Sequence, residues 1–138
     1  RTPIMVRWPG KVKPMMDKTT LVSSIDLAPT TLATLGLDVP KAMTGLNLLD
    51  SDALAKRKQI YGEVFEHDVL DLNDLSASLN WRWMIDGQYK LIVPSRGKGK
   101  VELFNVIEDP HEKKNLAADQ ADRVKSMTTA INAWWPGK

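Results

Sequence analysis

The sequence predicts an α+β fold, in which a small antiparallel sheet of about four strands is covered by a C-terminal amphipathic helix. Two observations lead to this prediction. The pair Asp86-Gly87 joins two strand-like runs, and such a pair is typical of a type I′ hairpin turn, where both turn residues need a positive φ. Near the C-terminus, apolar residues recur every three or four positions, which is the spacing of a helix with one apolar face.

The strands are predicted from residue alternation and turn residues. The run before the turn alternates as a half-buried strand does. One face carries Trp81, Trp83 and Ile85, and the other carries Arg82 and Met84. Residues 88–94 form the central strand, residues 101–106 the third, and residues 60–66 a fourth, which gives a meander.

The C-terminal helix is predicted between Ala117 and Trp135. Its apolar stripe consists of Val124, Met127, Ile131 and Trp134. A short helical turn is expected before it, with Asp109 as its cap, Pro110 at the first position and Glu112 completing a capping box.

Residues 1–50 predict a different organisation. Pro3–Trp8 is an apolar run closed by Pro9-Gly10, which indicates a buried strand of a parallel sheet, and Thr20–Ser23 is a candidate for another short strand. Asp26 is the expected N-cap of a helix over Leu27–Leu35.

This helix should end at Gly36 and turn Leu32 and Leu35 towards a core. Residues 38–52 are predicted to be a loop that packs back on the helix through Leu46, Leu48 and Leu49. We place a boundary between two parts of the chain near residue 50.

Composition excludes several classes of function. The chain has 138 residues, a net charge of +2 and no cysteine, so a nucleic-acid partner is not expected and thiolate chemistry is excluded. No run has the roughly 20 apolar residues of a membrane span, and the first residues lack the n-region and h-region of a signal peptide. The start at Arg1 suggests a cut through a longer protein or a processed one.

One acidic run is the densest group of candidate ligands or acid–base groups. It comprises Glu63, Glu66, Asp68, Asp71 and Asp74, with His67 inside it. Carboxylates beside an imidazole can bind a metal or move protons. The spacing matches neither an EF-hand loop nor a helical two-histidine site, and a solvated loop at a strand end is the competing interpretation.

Two further groups have competing interpretations. Arg96, Lys98 and Lys100, separated by glycines, could bind an anion or could keep a basic hairpin tip soluble. The tryptophans could form a flat platform for sugars, or sheet and helix packing could account for most of them. They are Trp81, Trp83, Trp134 and Trp135. A serine–histidine–aspartate triad has no specific support.

Several segments in order resemble the C-terminal part of a type I sulfatase, a branch of the alkaline-phosphatase superfamily. They are the start at residues 1–10, the Ser24–Leu32 segment closing at Leu35-Gly36, the Thr44–Leu49 segment, Tyr89–Ile92, and residues 102–105 running into residues 109–117. Together they span nearly the whole chain.

The resemblance implies that residues 1–50 end the large alkaline-phosphatase-like α/β domain with its last strand and helix, and that residues 51–138 form the C-terminal subdomain. It implies a parent enzyme that hydrolyses sulfate esters with calcium and formylglycine, both contributed by segments that precede this one. No catalytic or metal-binding residue carries over to this chain, which alone should be inactive. The parent is expected in the periplasm or outside the cell.

The resemblance also suggests a role for the loop after Glu63. Glu66, His67 and Asp68 are the candidate substrate-binding residues, facing a sulfated small molecule or sulfated sugar in the cleft of the parent. Two alternatives stay open. One is a phosphodiesterase or phosphonate hydrolase of the same superfamily, and the other is a non-catalytic module that associates with itself.

Overall fold

The sheet that the sequence predicts is present. The computed structural model describes residues 3–95, 97 and 99–135. Its four strands are β1 (Gln59–Phe65), β2 (Leu79–Asp86), β3 (Tyr89–Pro94) and β4 (Glu102–Asn105). They lie in the order β1-β2-β3-β4, each antiparallel to the next, so the predicted meander is confirmed.

The hairpin between β2 and β3 differs from the prediction in its turn. Asp86 pairs with Tyr89, so the two turn residues are Gly87 and Gln88. Only Gly87 has a positive φ, of 56°. A glycine with positive φ at the first turn position alone is the pattern of a type II′ turn. The predicted hairpin is confirmed, and the predicted type I′ turn is wrong.

The core lies between the sheet and one long helix, α3, which spans Ala121–Trp134 and starts later than predicted. The sheet contributes Met84, Leu91, Val93 and Leu103, and the helix contributes Met127 and Ile131. Val124 packs against this cluster, but Trp134 is 42% exposed. Burial of this apolar surface holds the sheet and helix together.

The opposite face of the sheet is also apolar, and no described element covers it as α3 covers the first. Its side chains are Ile60, Val64, Trp81, Trp83, Ile85 and Ile92, which the register places on one side. We call them the open face. Trp81 is 39% exposed, and the indole of Trp83 lies over Gly62, where an added Cβ would come within 2.4 Å of the ring.

The two N-terminal strand predictions are wrong for this chain. Pro3–Trp8 and Thr20–Ser23 form no strand, and Met5 is 89% exposed. A strand needs a hydrogen-bonding neighbour, and the described residues place none beside these segments.

The helices of this region differ in detail from the prediction. A 3₁₀ turn (Ser24–Asp26) leads into α1 (Leu27–Thr34), and Leu35 is 68% exposed instead of facing a core. A short helix, α2 (Ser51–Lys56), begins within the predicted loop.

The segment before α3 forms a turn and no helix. Glu112 has a positive φ of 54° and does not close a capping box. Its carboxylate instead accepts hydrogen bonds from Lys90 Nζ at 2.8 Å, while the side chain of Asp109 accepts one from the amide of Lys114. The helix start predicted at Asp109 is therefore wrong.

A second 3₁₀ turn, Leu75–Ser78, directly precedes β2.

Candidate functional site

The predicted substrate loop leaves the sheet directly after β1. His67 and Asp68 are fully exposed, and His67 Nδ1 lies 3.4 Å from Asp68 Oδ1. The base of the loop is fixed, because the amide of Glu66 donates to the carbonyl of Ser78 at 2.6 Å. The amide of Leu70 donates to Ser78 Oγ at 2.9 Å. The loop therefore presents an imidazole and a carboxylate from an anchored base.

The rest of the acidic run does not converge on His67. Asp71 and Asp74 use their carboxylates to form local turns, accepting from the amides of Asn73 and Ser76 at 2.8 and 2.9 Å. Glu63 lies within β1, opposite Arg82 of β2. The structure thus brings together His67 and Asp68, and among the described residues no group of three or more possible metal ligands forms there.

Calcium and formylglycine, implied for the parent, do not fit these residues. In the described ranges no group of three or more histidine, cysteine, aspartate or glutamate side chains could hold a metal ion. The chain has no cysteine, and no serine stands in the Ser-x-Pro-x-Arg pattern that precedes formylglycine.

Among the residues that the structure describes, the most buried charged group lies in the N-terminal part, where the sequence predicted only an N-cap. Asp26 is completely buried, and its side chain makes no cap bond to α1. Its two oxygens accept from Arg57 Nη1 and Nη2 at 2.6 and 2.7 Å, and from the amides of Leu46 and Ser23, each at 2.8 Å. One carboxylate thereby joins α1, the loop after it and the residues leading into β1.

These contacts change the acidity of Asp26. Burial alone raises the pKa of its carboxyl, but the hydrogen bonds from Arg57, Leu46 and Ser23 outweigh burial and lower the pKa below its usual value. The carboxylate therefore stays ionised although it is enclosed. The motif containing Asp26 was visible in the sequence, but its partner 31 residues away was not.

A second polar group completes this connection. Thr30 Oγ1 accepts from the amide of Leu48 at 2.8 Å and donates to the carbonyl of Asp26 at 2.6 Å. Gly45 lets the loop approach, since a Cβ there would come within 2.1 Å of the carbonyl oxygen of Ile25. The predicted return of the loop onto α1 is confirmed for Leu46 and Leu48, whose backbone amides make the contacts. Leu49 does not show it, because its side chain is 37% exposed and its amide donates to Asn47 within the loop.

Aromatic side chains line the edge of the sheet at β1. The Tyr61 and Trp134 rings stack with centroids 5.0 Å apart and planes 14° apart. Phe65 meets Trp135 edge to face at 6.1 Å. Arg82 lies 5.9 Å from the centre of the Trp135 ring. We call these five residues the edge surface.

The basic cluster singled out in the sequence lies largely outside the described residues. Arg96 and Lys98 of the basic cluster are outside the described residues, and Lys100 is exposed. None of the helices formed by the described residues has the length and apolar character that crossing a membrane requires.

The chain belongs to the N-sulphoglucosamine sulphohydrolase C-terminal family, whose model matches residues 1–133. It is 25% identical over 137 residues to arylsulfatase K of Xenopus laevis, covering 95% of this chain and 25% of that protein. The chain therefore spans about a quarter of the length of this relative.

Solved structures confirm the fold. Ps i-CgsB in complex with k-i-k-neocarrahexaose superposes with a TM-score of 0.69 and 21% identity, over 95% of this chain and 28% of that one. BT4656 in complex with D-glucosamine-2-N,6-O-disulfate superposes with a TM-score of 0.59 and 22% identity, over 81% of this chain and 23% of that one. The predicted resemblance to sulfatases is confirmed.

Proposed function

We propose that this chain is the C-terminal part of an enzyme that hydrolyses sulfate esters, and that it completes the fold and borders the substrate cleft without supplying the nucleophile. The observation that carries the proposal is the family match over residues 1–133. Its relatives are sulfatases about four times as long, so the nucleophile, calcium and formylglycine belong to the rest of the parent in this proposal.

Exposed apolar side chains support a role in completing a larger fold. In the N-terminal region Met5, Met15 and Met16 are 77–89% exposed, and the open face of the sheet is only partly covered. Surfaces of this kind mark contacts with another protein part. The boundary near residue 50 is part of the proposal, with residues 1–50 packing within the large α/β domain and residues 51–138 forming the subdomain.

The substrate class that we propose is a sulfated sugar. Structural relatives are known with bound oligosaccharide or glucosamine disulfate. Glu66, His67 and Asp68 are the proposed contacts, because the loop is anchored at Glu66 and projects its imidazole beyond the sheet. In this role His67 donates a hydrogen bond to a sugar hydroxyl.

Sulfate release by the whole parent protein tests the activity. Hydrolysis of a sulfated sugar with release of inorganic sulfate is expected, and cleavage of phosphodiesters or phosphonates without sulfate release would favour the alternative hydrolase. This chain alone should release no sulfate.

The role of His67 is tested in the same parent protein. His67→Ala should lower kcat/KM about 3- to 10-fold, the loss of one ordinary hydrogen bond. His111→Ala is the matched control, since His111 is the second histidine of these 138 residues and is also exposed. Unchanged kcat/KM for His67→Ala across several sulfated sugars would remove this loop from substrate recognition.

Self-association is the second candidate, because the open face of the sheet could pair with a second copy of the chain. Size-exclusion chromatography of the isolated chain over a range of concentrations tests it. A strictly monomeric chain argues against association, whereas a dimer that Trp81→Ser dissolves would place the contact on the open face.

A further inference from the structure

Arg82 carries a charge that the described structure does not neutralise. No carboxylate of the described residues forms an ion pair with its guanidinium, and its one side-chain hydrogen bond runs from Nη1 to the carbonyl of Trp135 at 3.1 Å. Nε is buried and has no partner there. An arginine has five N–H donors, and leaving a buried one unsatisfied is unfavourable. Nη2 has no hydrogen-bond partner among the described residues and is not buried, so Arg82 retains this donor and its charge for an anion.

Two aromatic rings of the edge surface are not part of the core. Trp134 is 42% exposed and Phe65 is 40% exposed, although α3 periodicity alone would have placed Trp134 inward. Because Tyr61 covers one face of the Trp134 indole, its exposed area lies on the remainder of the ring. A flat, partly exposed indole can stack against the apolar face of a sugar ring.

The combination of these groups narrows the ligand class. A guanidinium donates stronger hydrogen bonds to the charged oxygens of an oxyanion than to the neutral hydroxyls of a sugar. An exposed indole adds a contact that a free inorganic anion does not use. A group that satisfies both is a sugar ring carrying a sulfate.

We propose that the edge surface binds a sulfated pyranose, with the sugar ring against Trp134 and the sulfate on Arg82. This inference takes its substrate class from the proposed function, but it requires no step of hydrolysis. The surface is built on β1, β2 and α3, and its member Phe65 is the last residue of β1, directly before the loop of Glu66, His67 and Asp68.

The carboxylate of Glu63 should oppose the binding of a sulfate at Arg82. Glu63 is exposed and pairs with Arg82 across β1 and β2, so its carboxylate lies on the same face without forming an ion pair. A carboxylate in this position repels a bound sulfate. Glu63→Gln should therefore strengthen binding by about 2-fold, a typical effect of one exposed charge.

Titration of the 138-residue chain with D-glucosamine-2-N,6-O-disulfate, followed by indole N–H signals in NMR spectra, tests the proposal. Arg82→Gln should raise Kd about 10-fold or more, since it removes charged hydrogen bonds, and Trp134→Ala should raise Kd about 2- to 10-fold. Trp81→Ala is the matched control, because Trp81 is 39% exposed on the opposite face of the sheet, and its Kd should stay unchanged.

Several results would overturn the proposal. These are no saturable binding by the unmodified chain, equal binding of unsulfated glucosamine, or a loss of affinity in Trp81→Ala that matches the loss in Trp134→Ala. Circular dichroism checks that each variant is folded. If Trp134→Ala unfolds, the other two variants test the site, because Arg82→Gln should raise Kd and Glu63→Gln should lower it. A change of Kd in the same direction in both variants would contradict the site.

The proposed function and this site can fail separately. A parent that releases sulfate while this chain binds no disulfate would refute the edge surface alone. A chain that binds the disulfate while the parent releases no sulfate would refute the hydrolase and leave the site in place.

Discussion

Each of the two parts of the chain is stabilised by a different kind of interaction. Residues 59–135 form a sheet and helix around apolar side chains such as Leu91 and Ile131, which are completely buried. Residues 3–58 have few buried apolar side chains, and their chain path depends on the buried carboxylate of Asp26 and its four hydrogen bonds. We infer that apolar burial makes the sheet and helix tolerant of small losses, whereas the N-terminal part depends on one polar centre.

Removing the Asp26 carboxylate should have the largest effect. Asp26→Ala leaves the guanidinium of Arg57, which is 10% exposed, without its partner, and should destabilise the chain by about 3–5 kcal/mol. Urea denaturation measures the loss, and hydrogen exchange should show Leu46 unprotected. Asp50→Ala is the control, since Asp50 caps α2 at the surface and should cost only about 0.5–2 kcal/mol. Equal losses would mean that Asp26 is not central.

A cavity in the apolar core should be the next largest change. Leu91→Ala should cost about 2–5 kcal/mol in the free energy of unfolding. Ile92→Ala, at the neighbouring position on the open face, should cost clearly less because Ile92 is only partly buried. Urea denaturation of both variants measures the difference. Similar losses would show that the open face is covered in solution.

Gly62 lies in the sheet and Gly45 in the N-terminal part, and each stands where another segment comes too close for a side chain. Gly62→Ala should cost about 1–3 kcal/mol, because the added Cβ meets the movable indole of Trp83. Gly45→Ala meets the backbone of Ile25 and should lie at the upper end of that range or above it, since backbone cannot rotate away. Thermal unfolding ranks the two variants, and a larger loss for Gly62→Ala would contradict the close approach at Gly45.

Acid should destabilise the N-terminal part before it destabilises the sheet and helix. Near neutral pH the change in stability should be very small. The pKa of Asp26 is lower in the folded chain than the usual 3.8, so the stability that it contributes is complete above that value and is lost as the pH falls below it. Hydrogen exchange between pH 6 and 3 should show Leu46 losing protection before Leu91. Asp26→Asn should abolish this order, and an unchanged order in that variant would assign the acid sensitivity to other groups.

The local elements of the fold were predictable from the sequence. The alternation in β2, the glycine turn before β3 and the stripe of Met127 and Ile131 reflect the two-residue and 3.6-residue periods of the backbone, which neighbouring residues specify. Part of the candidate site was predictable for the same reason. The loop of Glu66, His67 and Asp68 was placed at a strand end because β1 alternates and then stops.

Other features required the tertiary structure. Neither face of β2 could be assigned to the core from alternation, since both carry apolar residues, and α3 covers the one with Met84. Asp26 pairs with Arg57, which is 31 positions away in the sequence. Arg82 lies beside Trp135, which is 53 positions away. The sequence by itself determined the four strands of the sheet, the main helix and the family. The tertiary structure decided which faces are buried and which charges meet, because these depend on how distant segments pack and not on local backbone geometry.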